Sequence, residues 1–135
     1  MAINNVKPHY GNAAEFQVSS WPFVSSSIVY DTTIAEISFP YVTRWITVHN
    51  GGHGTSKILH FGFTQNGVGV DGDTDGNYYT LHDGEQSQRL ELKCKSLFIR
   101  AEGGDVPFSV MAGLTNVGPQ QFPTISGSNG FIGVG

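Results

Sequence analysis

Short runs of alternating apolar and polar side chains, each closed by Gly, Asn, Asp or Ser, recur along this chain between residues 15 and 113. Side chains on an extended strand point to opposite faces in turn. Such alternation therefore marks a strand with one buried face and one face toward solvent or a partner. In 89–94, Leu90, Leu92 and Cys94 share one face against Arg89, Glu91 and Lys93. In 57–64, Leu59, Phe61 and Phe63 oppose His60, Gly62 and Thr64, and in 106–112, Phe108, Val110 and Ala112 oppose Ser109 and Met111. The i, i+3, i+4, i+7 spacing of an amphipathic helix is not sustained anywhere.

The pattern predicts strands at 15–19, 27–31, 34–39, 43–49, 57–64, 77–82, 87–93, 96–101 and 106–113. Turn-forming groups such as Asn50-Gly51-Gly52, Gln65-Asn66-Gly67, Asp83-Gly84 and Gly103-Gly104-Asp105 separate them. Many short strands with regular turns define an all-β protein. The number and length of the strands fit a single jelly-roll β-sandwich of about eight antiparallel strands. An immunoglobulin-like sandwich competes, but the Cys…Trp…Cys spacing it favours is missing. A chain of 135 residues is one domain and is long enough to bury a core without disulfide or metal staples. The expected division is an N-terminal arm (1–14), the sandwich (15–118) and a Gly/Ser/Pro-rich, extended C-terminal arm (119–135).

Composition narrows the function. Only 13% of residues are charged, the net charge is −4, and Lys7, Arg44, Lys57, Arg89, Lys93, Lys95 and Arg100 are scattered. No basic patch exists to neutralise phosphates, so nucleic-acid binding is not expected. Neither anchoring on an anionic membrane nor direct membrane insertion is expected. Cys94 is the sole cysteine, which rules out an intrachain disulfide. Residues 1–14 lack a basic start followed by an apolar run, so the sequence predicts no secretory signal and synthesis in the cytosol.

The segment Asp71-Gly72-Asp73-Thr74-Asp75-Gly76 matches the first half of a calcium loop, with Asp71, Asp73 and Asp75 at the ligand positions. Its second half fails, because His82 stands where a bidentate Glu is needed and the flanks read as strands. The alternative is a solvated turn, since Asp and Gly dominate turns for backbone reasons. Five histidines (His9, His49, His53, His60, His82) raise the question of zinc, but no second thiolate joins Cys94 and they read as surface histidines. Cys94 shares its phase with Leu90 and Leu92, which makes it a buried small hydrophobe. No nucleophile elbow, phosphate loop or marked carboxylate pair appears, so neither an enzyme nor a cofactor is expected.

Asp105 is the last charged residue, and the closing stretch carries Phe122, Ile125, Phe131, Ile132 and Val134 among Gly, Ser and Pro. An apolar, uncharged arm belongs against its own body or an adjacent subunit; a loose terminus is the alternative. Trp45 has opposite phase to Ile46 and Val48, which places it outside the core they occupy. Trp45, Phe122, Ile125, Phe131 and Ile132 are therefore the candidate interface residues, since aromatics are enriched and charges depleted at subunit contacts. Trp21, Tyr41, Trp45, Tyr78 and Tyr79 also offer faces for stacking on sugars.

The ordered segments WITVHNGG (45–52), ILHFGFTQNGV (58–68), NYYTLHDGE (77–85), LELKCKSLFIR (90–100), PFSVMAGLTNV (107–117) and FPTISGSNGFIGVG (122–135) resemble the small single jelly-roll vertex (penton) proteins of large icosahedral DNA viruses that infect algae and protists. The resemblance spans roughly residues 45 to 135, and the N-terminal third is less distinctive. It implies a virion protein assembled in the host cytoplasm, forming homopentamers at capsid vertices beside the major and minor capsid proteins. It carries no catalytic residues and no cofactor. Two further expectations stand beside it: a carbohydrate- or receptor-binding jelly roll, and a small cupin-like enzyme. The latter needs His and Glu converging on inner strands, and His60 lies in the opposite phase to Leu59, Phe61 and Phe63.

Overall fold

A computed structural model describes residues 21–52, 57–69 and 75–135. Alternation becomes two antiparallel sheets. Strands β1 (Trp21–Val29), β7 (Val106–Leu114) and β3 (Thr43–Asn50) pair in the order β1-β7-β3 and form sheet I. Strands β2 (Ile34–Ser38), β6 (Ser96–Glu102), β4 (Ile58–Gly62) and β5 (Tyr79–Leu81) pair in the order β2-β6-β4-β5 and form sheet II. A single helical turn, α1 (Gln65–Val68), lies in the connection between β4 and β5.

The 86–90 segment extends sheet I beyond β3, through bridges at Ile46↔Leu90 and His49↔Gln86. With it as the eighth strand, the sheets read β1-β7-β3-(86–90) and β2-β6-β4-β5. The chain passes from sheet to sheet between almost every pair of successive strands, which is the jelly-roll winding. The protein is an all-β jelly-roll sandwich.

Inward side chains of both sheets meet in one core. Ile46, Val48, Val110 and Ala112 from sheet I face Leu59, Leu97, Ile99 and Ala101 from sheet II, all fully buried. Each such Leu, Ile or Val contributes roughly 1.5–3 kcal/mol by leaving water. Cys94 is buried in the same core, as its phase with the leucines predicts. Polar side chains tie the layers at strand ends. Asn50 donates to the carbonyls of Lys57 (2.8 Å) and Leu81 (3.0 Å) and accepts from Gly52 N–H (2.9 Å). The Thr43 hydroxyl donates to Leu92 O (3.0 Å) and accepts from Cys94 N–H (2.9 Å).

Several boundaries differ from expectation. The strand expected at 27–31 begins at Trp21 and stops at Val29, before a turn in which Thr32 takes a left-handed φ of 63°. Pairing along the whole of β7, from Trp21↔Leu114 to Val29↔Val106, supplies the order that Ser25-Ser26-Ser27 conceal in the sequence. The segment expected as strand 87–93 is not a continuous strand. There the Ser87 hydroxyl, rather than a ladder carbonyl, accepts from Val48 N–H (2.9 Å), and Leu92 N–H turns back to Leu90 O (3.0 Å). The strand expected at 15–19 lies outside the described residues.

Beyond β7 the chain folds back on its own body. A 3-10 turn, Pro119–Gln121, delivers Phe122 into a small second core with Val42 and Val117, against which Ile125 packs. Lys95 Nζ holds this stretch by donating to Phe122 O (3.2 Å) and Thr124 Oγ1 (3.1 Å).

Candidate interaction surfaces

The outer face of sheet I is built by β1, β3 and β7, whose inward residues are spent on the core. In register across it stand Val24↔Met111, Ser26↔Ser109 and Ile28↔Pro107 from β1 and β7, with Thr47 and His49 of β3 opposite Met111 and Ser109. No Asp, Glu, Lys or Arg stands among these residues. Val24 is 64% exposed, Met111 49% and Ile28 46%. Between the strands lies a shallow recess lined by Val24, Ser26, Thr47, His49, Ser109 and Met111. Among the described residues strand β1 is the edge of this sheet; its nine residues, WPFVSSSIV, carry no charge. Charged side chains and Pro are the usual protection of such an edge against pairing, and only Pro22 is present.

The outer face of sheet II is different. His60 reads as a surface histidine in the sequence, but it is 5% exposed. The reason is the connection between β4 and β5, whose described parts, α1 and Tyr78, lie over it. Arg100 of β6 is 1% exposed beside it, and its Nε donates to Val68 O (2.7 Å) at the end of α1. Tyr78 covers both, with its ring 4.4 Å from that of His60 and 5.3 Å from the Arg100 guanidinium carbon. Glu102 reaches Arg100 Nη1 (3.3 Å) and His60 Nε2 (3.4 Å), and Thr80 Oγ1 lies 2.8 Å from His60 Nδ1. Burial lowers the His60 pKa, and the Arg100 charge lowers it further against the opposing pull of Glu102. The cluster fastens the long connection to the sheet. Arg100 Nη2 is left buried without a hydrogen-bond partner among the described residues. Alternation alone missed the cluster, because alternation reports which face is apolar and not what covers the other.

The expected interface residues separate. Phe122 is buried in its own chain's second core and Ile125 is half-buried against it. Phe131 is half-buried, and Ile132 is 99% exposed. Trp45 lies outside the core, as its phase requires, and the Arg89 guanidinium covers its ring at 5.1 Å. The aromatic residues considered for sugar stacking are dispersed. Trp21 stacks on Tyr41 at 5.9 Å, Tyr78 lies over the buried cluster, and Tyr79 is exposed at the sheet II edge.

Asp71 and Asp73 of the calcium-like segment lie outside the described residues, and Asp75 is exposed. Among the described residues no His, Cys, Asp and Glu side chains group in a way that could hold a metal. Burial pushes the Cys94 thiol up to about 11, against the Thr43 hydrogen bond, which leaves it unreactive.

The chain matches no protein-family model and no curated protein. Among solved structures, it is similar to RmlC from Streptococcus suis, solved in complex with dTDP-D-xylose, at 12% identity and a TM-score of 0.37. That likeness covers 68% of this chain and 43% of RmlC, so the chain spans less than half of that protein's length. It is also similar to a disulfide-linked pilus of Bacillus endospore appendages, at 12% identity and a TM-score of 0.31, over 73% of this chain and 95% of the other. Neither likeness bears on this chain's activity or partners.

Proposed function

We propose that this chain is a structural subunit, a penton protein that forms homopentamers at the vertices of an icosahedral capsid. The observation that carries the reading is the patch on the outer face of sheet I where Val24, Ile28 and Met111 stand exposed beside Ser26, Ser109, Thr47 and His49 with no Asp, Glu, Lys or Arg among them. Arg89 lies farther along the same face, over Trp45. Exposed large apolar side chains gathered on one face mark an interaction surface. Depletion of charge is the compositional signal of the buried centre of a subunit contact. The jelly-roll winding and the segments that resemble vertex proteins support the same reading. The virion is the corresponding location, with the major and minor capsid proteins as neighbours. Light scattering after size exclusion, together with native mass spectrometry, tests it. A mass five times that of the chain is expected, and a monomer at every concentration up to hundreds of micromolar refutes it.

A further inference from the structure

The last ten residues form a closed loop pinned at its base. Gly127 N–H donates to Gly135 O (2.8 Å), Phe131 N–H to Ser126 O (3.1 Å), and Asn129 Nδ2 to Thr124 O (3.0 Å). The Thr64 hydroxyl, at the start of α1, donates to Val134 O (2.6 Å) and so attaches the loop to the body. Gly130, Gly133 and Gly135 take positive φ values of 90°, 103° and 93°, which let so short a segment close on itself. At its tip Ile132 is 99% exposed, held out in water by a structure that fixes it there.

We propose that this loop is a knob, and that Ile132 of one copy seats in the recess on the outer face of sheet I of a second copy. The proposal rests on the oligomeric reading above and names its contact. Knob and recess match in side-chain character: no side chain from Val106 onward is an Asp, Glu, Lys or Arg, and the recess is lined without them. Seating Ile132, at the tip, buries no charged side chain. A pinned loop also loses little conformational freedom on docking. The two patches lie on opposite layers, because the root of the arm rests beside Glu36, Ser96 and Phe98 on the outer side of sheet II. A contact between two different patches is heterologous, the type that closes into rings.

The test is light scattering on full-length Ile132→Asp, Met111→Asp and their equimolar mixture. Both side chains are exposed within one copy, so each variant should fold, with the wild-type far-UV circular dichroism spectrum and a cooperative melt whose midpoint no longer rises with protein concentration; Ile132→Ser and Met111→Ser serve if either Asp variant does not fold. Each variant alone should assemble at least about 30-fold more weakly, as for the loss of a central contact, and run as a monomer. The mixture should give one-to-one heterodimers, since one intact knob meets one intact recess and the remaining ends are blocked. Pentamers from either variant alone, or a mixture that stays monomeric, overturn the contact while leaving a pentameric wild type intact. A monomeric wild type overturns the oligomeric reading and this contact with it.

Discussion

Gly67→Ala sets two effects of similar size against each other. Gly67 is buried in the single turn of α1, where Ala is favoured over Gly by roughly 0.5–1 kcal/mol. A Cβ there would stand 2.3 Å from Val134 O, 2.8 Å from Thr64 Oγ1 and 3.1 Å from Asn77 O. The first of these is far inside contact distance and involves backbone, so something must move. Asn77 is held by its own N–H to Gly67 O (2.9 Å), and Thr64 caps the turn by accepting from Gly67 N–H (2.8 Å). Val134 belongs to the terminal loop, which the Thr64 hydroxyl attaches to the body. The loop therefore gives way. The lost hydrogen bond costs about 1 kcal/mol, close to what the turn gains. Global stability in urea should change by less than about 1.5 kcal/mol, while hydrogen exchange within 126–135 accelerates. Unchanged protection of Gly127 and Phe131 would show that the clash is absorbed elsewhere. A loss above about 3 kcal/mol would show that the loop is an integral part of the cooperative fold.

Leu59→Ala should cost about 3–5 kcal/mol and Leu92→Ala distinctly less, because Leu59 is fully buried and Leu92 only packs on the core rim; equal urea midpoints would refute this ranking. His60 is harder to protonate in the folded than in the unfolded state, so the unfolded chain binds more protons once pH falls below about 6.5. His60 therefore contributes stability above that pH which is lost on acidification toward its lowered folded pKa. His60→Gln should flatten the fall in urea midpoint between pH 7.5 and 5, and an unaltered slope would count against the cluster. Cys94 in native protein at pH 8 should resist a thiol reagent that labels it fully in denaturant, and stoichiometric native labelling would contradict its burial.

The alternation in 106–112 and the opposite phases of Trp45 and Ile46 were legible because each strand's period is local. Cys94 followed from the same rule. Beyond single strands the rule weakens. Ser25-Ser26-Ser27 show no pattern, and their place in β1 comes from pairing with β7, some eighty residues away. Leu90 and Leu92 alternate like a strand, yet hydroxyl contacts from Thr43 and Ser87 replace part of the ladder. The sequence put Phe122, Ile125, Phe131 and Ile132 together as one apolar group and had no means of dividing it between Phe122 inside and Ile132 outside.

The sequence by itself determined an all-β chain, the inward face of most strands, and a neutral C-terminal arm, since these depend on side-chain periodicity and composition. Only the tertiary structure decided that His60 and Arg100 are buried on the far side of sheet II, that the arm returns to its own body, and that Val24, Ile28 and Met111 stand exposed together on the outer face of sheet I. Those outcomes depend on which distant segment lies over which face, and a period of two along a strand carries no information about what arrives from elsewhere in the chain.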